Sequence, residues 1–252
     1  MKPAQTGGGP VRLEVDITGK TFRSAAGGTH EVLAPIKFAL QAGEVGVLIG
    51  PSGCGKSTML RIILGLDPDF AGHVARPPEA RIGMVFQEPR LLPWRSVEQN
   101  VRLAAPEVAD AKLSELFRIL ELQAHRDHYP GELSLGLARR VALARAFAVE
   151  PDILVLDEPL ASLDDALAGR LRDEIATLVA SRPVMTLLVT HSLDDAVRLG
   201  DRLFFLSARP ARIVAEVPIG IPRDTRGEAE IAAIKAGLAQ RTQGDRTERD
   251  AS

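Results

Sequence analysis

The sequence is poor in several features that define major classes of protein. It has one cysteine, Cys54, in 252 residues, so neither an intrachain disulfide nor a cysteine-based zinc cluster can form. Aromatic residues make up 4% of the chain. The net charge is −2, so no overall basic field indicates nucleic acid as a partner. No run reaches the roughly eighteen apolar residues of a membrane span, and the polar residues 1–10 lack the apolar segment of a signal peptide. Any association with a membrane is therefore expected to depend on a partner.

The remaining composition is that of an ordinary globular protein, with 45% hydrophobic and 25% charged residues. Five short apolar segments read as buried strands: residues 45–49, 82–86, 153–156, 186–190 and 203–206. Helical patterns separate these segments, as the connections of a parallel sheet require. The sequence therefore predicts an α/β core.

The two ends of the chain follow other patterns. Apolar and polar residues alternate over 11–17, which predicts a strand with one solvated face. A second strand is expected from about 31 to 40, after the turn-forming Gly27-Gly28. The tail from about residue 242 is dense in charge, and we predict that it is disordered.

Residues 91–150 carry no strand pattern. Five apolar residues fall on one helical stripe: Ala109, Leu113, Leu116, Phe117 and Leu120. A second helix is expected over 136–149. The pattern predicts a helical subdomain, 91–150, inserted into the α/β core.

A glycine-rich loop lies between the strand at 45–49 and the helical pattern that begins near Thr58. It matches the pattern G-x-x-x-x-G-K-[ST] and consists of Gly50, Pro51, Ser52, Gly53, Cys54, Gly55, Lys56, Ser57 and Thr58. Glycines let successive N–H groups face one anion, and the helix start adds positive potential. Lys56 is expected to reach the terminal phosphates of a nucleotide and Ser57 to ligate Mg²⁺. Cys54 reads as a small residue in a tight loop rather than as a reactive thiol.

Two acidic residues close the predicted strand at 153–156. Buried strands rarely end in paired carboxylates unless these serve a cation or a reaction. We expect Asp157 to hold Mg²⁺ and Glu158 to act as the general base for the attacking water. Two other strand ends carry Gln87, which could touch Mg²⁺ or the water, and His191, which could sense the terminal phosphate. Taken alone, such a histidine is more often structural, and such a glutamine is a surface amide.

In chain order these motifs resemble one family, the ABC ATPases. The correspondence adds a signature motif, Leu133-Ser134-Leu135-Gly136, and a D-loop, Ser162-Leu163-Asp164, and it covers roughly residues 11–217. The resemblance implies a P-loop NTPase (RecA-like) core with an antiparallel β subdomain and an inserted α-helical subdomain, over residues 11–220. A C-terminal helix and charged tail would occupy 221–252. ATP and Mg²⁺ are the cofactors that the resemblance implies.

The resemblance also implies a homodimer with two nucleotides held between the subunits. Ser134 and Gly136 of one subunit would contact the phosphate held by the other, and Asp164 would couple the two sites. Phe22 corresponds to an aromatic ring that packs on adenine, although it reads equally well as a core residue at a strand end.

The signature departs from the family's usual Leu-Ser-Gly-Gly-Gln. Leu135 replaces a glycine beside the phosphate contact, and Leu137 replaces a polar residue. Since the other motifs are intact, we expect hydrolysis to be retained and Leu135 to point away from the nucleotide.

Residues 85–101 resemble the ATPases of nitrate, sulfonate and taurine-type importers. In that branch the segment after Gln87 meets a membrane permease. The apolar run Leu91-Leu92-Pro93-Trp94 would suit such a partner, or it would cover the core of the helical subdomain. The resemblance implies a separate permease, an extracytoplasmic solute-binding protein, no nucleic acid, and a peripheral position on the cytoplasmic face of the inner membrane.

Other classes of protein fit less well. A GTPase of the common type needs an Asn-Lys-x-Asp motif, whereas the only asparagine is Asn100, followed by Val101. A phosphate-loop kinase would leave the signature and His191 unexplained. The remaining alternative is a soluble ABC ATPase module that serves no transporter or has lost hydrolysis, and Glu158 argues against the loss.

Overall fold

The computed structural model describes residues 12–24 and 27–249, with side chains described as far as residue 238. The strands within these ranges are β1 (Arg12–Arg23), β2 (Thr29–Leu33), β3 (Ile36–Gln41), β4 (Val45–Ile49), β5 (Ala71–Ala75), β6 (Ile82–Val85), β7 (Ile153–Asp157), β8 (Met185–Thr190), β9 (Arg202–Leu206) and β10 (Ile213–Pro218). The α-helices are α1 (Lys56–Ile63), α2 (Val97–Arg102), α3 (Asp110–Ile119), α4 (Leu135–Ala148), α5 (Asp165–Ala180), α6 (Leu193–Leu199) and α7 (Glu228–Arg249). Short 3₁₀ turns lie at Gln123–His125, Pro130–Glu132 and Arg223–Thr225.

A six-stranded sheet in the order β10-β9-β4-β8-β7-β6 forms the core. All its neighbouring strands pair in parallel except β10, which runs antiparallel to β9 at the edge. The central strands are buried along almost their whole length, as a sheet covered on both faces requires. Parallel strands end at one edge, so the segments after β4, β6, β7 and β8 meet there.

A smaller antiparallel sheet contains β1, β2, β3 and β5. The predicted single strand at 31–40 is wrong, because β2 and β3 are separate and Pro35 lies between them. Proline cannot donate to a ladder, and Ala34 N–H instead bonds Ala211 C=O at 2.9 Å. The first strand extends to Arg23, well beyond the predicted 17.

No strand occurs in the structure between β6 and β7, where α2, α3 and α4 lie. Leu113, Leu116 and Phe117 of α3 are buried, as the helical stripe predicted. Helix α4 packs against α2, α3 and β6 and is buried on most sides. An ion pair of 2.6 Å between Arg140 Nη2 and Glu174 Oε1 ties α4 to α5.

The C-terminal segment differs from its prediction. Helix α7 continues to Arg249, so the disorder predicted from 242 is wrong for residues 242–249. Most residues there have ordinary helix propensities, and the helix already formed upstream supplies the nucleus that a short helix lacks. Ile231 and Leu238 of α7 are buried against the core. No helix in the described part of the chain combines the length and the apolar character needed to cross a bilayer.

Candidate functional site

The glycine-rich loop connects β4 to α1 and turns on two residues with positive φ. Gly53 has φ 74° and Gly55 has φ 128°. A Cβ at Gly55 would lie 2.9 Å from the Leu33 side chain and 3.2 Å from the Val32 carbonyl oxygen, so no larger residue fits. No side chain caps the N-terminus of α1. The first N–H groups of the helix are therefore free of side-chain acceptors and suited to an anion.

Lys56, the first residue of α1, is buried and folded back on the loop. Its Nζ donates to the carbonyl oxygens of Gly50 at 2.8 Å and Pro51 at 3.0 Å. Glu158 Oε1 lies 3.9 Å from the same nitrogen. A buried ammonium must be paired, and these partners hold it beside the loop, where a phosphate would be bound.

A cavity of about 280 Å³ opens in front of this loop. It is lined by Ser52, Gly53, Gly55, Lys56, Ser57, Thr58, Gln87, Glu158 and Arg209. Six members of the predicted loop thus meet two residues from the ends of other strands, as the parallel topology requires. The ninth residue, Arg209, was not predicted from the sequence.

Glu158 follows β7 in a constrained backbone conformation. Its φ is 46°, unusual for a residue with a side chain. Its N–H bonds Val189 C=O at 2.9 Å, and its own C=O accepts from Arg139 Nη1 at 3.3 Å. Its Oε2 lies 3.3 Å from His191 Nδ1. The structure therefore brings Glu158 and His191 together, and Lys56 lies near the other carboxylate oxygen. A residue held in such an uncommon backbone conformation is typical of functional sites.

Asp157, the last residue of β7, lies beside a second groove. Burial, followed by the charge of Glu158, raises the pKa of Asp157, while Lys56 and Arg90 act in the opposite direction. Asp157, Ser57 and Gln87 all line this groove. A carboxylate, a hydroxyl and an amide oxygen are ligands that Mg²⁺ prefers, so these side chains fit the metal.

Cys54, Gly50 and Pro51 belong to the loop without lining the cavity. Cys54 is buried, and a Cβ on Gly50 would meet its Sγ at 3.2 Å and Leu206 Cβ at 2.9 Å. The thiol thus fills space beneath the loop. Pro51 takes part through its carbonyl, which accepts from Lys56 and from Cys54 N–H at 3.3 Å.

Four further predicted site residues belong neither to the loop nor to the residues directly after β7 and β8, and they too lie outside the cavity lining. The Ser134 hydroxyl caps α4 by accepting from Leu137 N–H at 3.3 Å, and Asp164 caps α5 by accepting from Leu167 N–H at 2.9 Å. Gly136 is packed so closely that a Cβ would meet the Leu167 side chain at 2.6 Å. Phe22 is 44% exposed on β1, with Lys20 Nζ 4.7 Å from its ring centre.

Arg209 is the residue that the sequence reasoning missed. It stands in the turn after β9, and its Nη2 donates to the Gly53 carbonyl oxygen at 3.1 Å. The only signal in the sequence was its position: β9 pairs in parallel with β4, so both carboxyl ends reach the same edge of the sheet.

Comparisons with known proteins agree with this geometry. Residues 33–161 match the family described as ABC transporter. The aliphatic sulfonates import ATP-binding protein SsuB 2 of Pseudomonas syringae pv. tomato is 43% identical over 227 residues, which cover 89% of this chain and 95% of that protein. The SsuB protein of Bacillus licheniformis is 38% identical over 84% of this chain and 86% of that protein.

Solved structures give the same result for the fold. The dimeric structure of MJ0796, a bacterial ABC transporter cassette, matches with a TM-score of 0.72 and 27% identity, covering 83% of this chain and all of that one. A dimeric post-hydrolysis state of the same cassette, bound to ADP and Pi, matches with a TM-score of 0.71 and 26% identity, over 83% of this chain and all of that one. The predicted fold class, a P-loop core with an antiparallel sheet and inserted helices, is confirmed.

Proposed function

This chain belongs to the ABC transporter family and binds and hydrolyses ATP, and we propose that it drives an importer of aliphatic sulfonates. The cavity at the phosphate loop, with Lys56, Gln87 and Glu158 in its lining, is the observation that carries the ATPase function. The solute class rests on similar proteins, because eight relatives of 38–43% identity are all named as aliphatic sulfonates import proteins.

Each reacting group has an assigned role in this proposal. Lys56 and the loop N–H groups bind the phosphates of ATP. Ser57, Gln87 and Asp157 hold Mg²⁺, which supplies charge neutralisation at the phosphates when bound. Glu158 orients and deprotonates water, while His191 contacts one oxygen of its carboxylate and Lys56 lies near the other.

The chain works as a homodimer in this proposal. Ser134 and Gly136 stand at the start of α4, outside the cavity of their own subunit, and would complete the site of a second copy. Asp164, at the start of α5, would link the two sites. The dimeric cassettes that match this fold support the arrangement.

Residues 11–220 form the ATPase unit that we propose, with 91–150 as its inserted subdomain and 221–252 as a C-terminal extension. ATP must bind the closed dimer more tightly than the open one for its binding to move this subdomain. Phe22 remains our proposed adenine contact, because it is aromatic and exposed.

The segment after Gln87 supplies the surface for a membrane permease. Trp94 is 70% exposed. The loop beneath it is held by the fully buried amide of Asn100, whose Oδ1 accepts from Leu92 N–H at 2.8 Å and whose Nδ2, with its two N–H donors, lies within hydrogen-bond distance of three backbone carbonyl oxygens of the loop. A large apolar side chain held in water by such a scaffold is typical of a contact surface.

The groove that Ser57, Gln87 and Asp157 line also has an apolar part away from those three side chains, with Leu64, Leu66, Met84 and Phe86 among its walls. We propose that Trp94 and this groove together bind a permease helix on the cytoplasmic face of the membrane. An extracytoplasmic binding protein would deliver the solute to that permease.

Affinity purification of the tagged chain from solubilised membranes tests the proposal. We expect a polytopic permease with the wild type and with Lys56→Ala, and its loss with Trp94→Asp, which leaves the nucleotide site intact. Recovery of soluble partners alone would overturn the transporter assignment. Uptake of a labelled alkanesulfonate, compared with nitrate, tests the solute class: uptake of nitrate alone would contradict it.

A further inference from the structure

We propose that Arg209 is a nucleotide-binding residue whose guanidinium contacts the phosphates of ATP. The inference rests on the ATPase site described above and adds a cation to it from an element that carries none of the predicted motifs. Arg209 lines the same cavity as Lys56 and Glu158.

The guanidinium of Arg209 uses few of its hydrogen-bond donors. It donates one hydrogen bond, from Nη2 to the Gly53 carbonyl oxygen at 3.1 Å, and makes no ion pair with any carboxylate in the described part of the chain. By contrast, Arg139 is buried and bound to the carbonyl oxygens of Glu158 and Pro159. Guanidinium carries five N–H donors, so Arg209 retains donors for an anion without breaking an ion pair.

The turn that carries Arg209 is held in place by its neighbours. The Ser207 hydroxyl donates within the turn, to the carbonyl oxygens of Ala208 or Pro210, and accepts from Arg212 N–H at 3.1 Å. On the other side, Ala211 N–H bonds Val32 C=O at 2.9 Å. The backbone of Arg209 is thereby anchored to the strand that packs against Gly55, so the loop and the arginine keep a fixed spacing.

The chemistry suits a polyphosphate. Arginine binds phosphate oxygens through two parallel N–H bonds, and such charge-assisted bonds are about twice as strong as neutral ones. Lys56 supplies a point charge, partly offset by Glu158 at 3.9 Å. Arg209 lacks such a carboxylate and therefore adds positive potential where the charge of the nucleotide is greatest.

A structural role is the competing explanation, in which Arg209 only holds Gly53. Arg209→Gln separates the two roles, since a glutamine amide can donate to the Gly53 carbonyl but has no charge. Arg209→Lys keeps the charge and loses the paired donors. Arg212→Ala is the matched control, because Arg212 is exposed in the same turn and does not line the cavity.

The test is equilibrium binding of a fluorescent, non-hydrolysable ATP analogue to the full chain, with the melting temperature of each unliganded variant. We expect Arg209→Ala and Arg209→Gln to weaken binding about tenfold, Arg209→Lys to weaken it less, and Arg212→Ala to leave it within about twofold. Unliganded melting temperatures should match the wild type.

Wild-type affinity in Arg209→Gln overturns the inference and leaves Arg209 a structural residue. An equal loss in Arg212→Ala also overturns it, because a general field would then explain the effect. Lys56→Ala serves as the reference for the site itself. If the wild type fails to bind the analogue, the ATPase site and this inference fail together. If the wild type binds it, Lys56→Ala does not, and the Arg209 variants bind as tightly as the wild type, the ATPase site stands and only this inference fails.

Discussion

The phosphate loop and the start of helix α4 are the two motifs to which we assign phosphate contacts, and their surroundings in one subunit differ. The loop faces a cavity whose lining comes from α1, from the segments after β6 and β7, and from the turn after β9. At the start of α4, Ser134 and Leu135 are exposed, and none of the residues 133–136 lines that cavity. One subunit thus contains a cavity lined by the phosphate loop and, apart from it, a motif that does not reach that cavity.

The two regions are nevertheless coupled through the second turn of α4. Arg139 donates to the carbonyl oxygens of Glu158 and Pro159, and Arg140 pairs with Glu174. A shift of α4 would therefore displace the backbone that positions Glu158, the general base in our proposal. The motif at the start of α4 therefore lies outside the cavity but is connected to it, through the hydrogen bonds of Arg139 to the Glu158 segment.

The largest expected effect comes from removing charges from the lining of the cavity. Lys56→Ala removes the ammonium that the loop holds, and Glu158→Gln removes the base while keeping the side chain's shape. We expect each to lower steady-state ATP hydrolysis by more than about a hundredfold. Phosphate release measures this. Equal, weak activity in the wild type and in Glu158→Gln would indicate a contaminant and contradict the enzyme assignment.

A mixture of two inactive variants tests whether the exposed motif serves a second subunit. Lys56→Ala keeps an intact α4 start, and Ser134→Arg keeps an intact loop. In a mixed dimer, one of the two sites combines the intact loop of one subunit with the intact α4 start of the other. Random pairing makes roughly half of the dimers mixed, so we expect activity to return to roughly a quarter of wild type.

Hydrolysis after mixing, compared with each variant alone, is the measurement. Mixing two preparations of Lys56→Ala controls for concentration. Activity that stays at the level of the separate variants would contradict the assignment of the α4 start to the site of a second subunit.

The sequence predicted that the loop, Gln87 and Glu158 would lie together, because their placement follows from local patterns. A loop of fixed spacing follows a buried strand, and Glu158 ends another strand, so the parallel topology alone brings them together. Arg209 could not be found in this way. Its role depends on a hairpin turn whose placement comes from Ala211 bonding Val32, a contact between distant segments. The break at Pro35 was missed for a similar reason: the chain leaves β1 there to pair with Ala211.

A third test concerns the anchor between α4 and α5. Burial raises the pKa of Glu174 to about 7 from its ordinary 4.5, although Arg140 acts to lower it. Its Oε2 is buried without a hydrogen-bond partner among the described residues. The folded state therefore binds this proton more tightly than the unfolded state. The stabilisation is full below pH 4.5 and is lost as pH rises through about 7.

Glu174→Gln should remove this pH dependence. We expect the unfolding free energy of the wild type to fall relative to the variant by on the order of 2 kcal/mol between pH 4.5 and neutral pH, less than the full shift implies because the side chain is not wholly buried. Denaturant titrations at several pH values measure it. Glu121→Gln is the control, since this exposed carboxylate also pairs with Arg140, at 2.7 Å; a similar pH dependence of the difference there would contradict the assignment to Glu174.

The smallest effect is expected at Leu135, where the exposed motif departs from the family pattern. Leu135 is 45% exposed at the first position of α4, and the Ser134 cap beside it is intact. A side chain there can lie in solvent, so we expect Leu135→Gly to change hydrolysis by less than about tenfold, with part of any change coming from the lower helix propensity of glycine. Leu135→Ala separates that contribution, because it removes the bulk and keeps a strong helix former. A rise of about a hundredfold in the hydrolysis rate of both variants would contradict this expectation. It would show that the Leu135 side chain slows hydrolysis at the second subunit's site, so that the start of α4 would limit the activity of the phosphate loop.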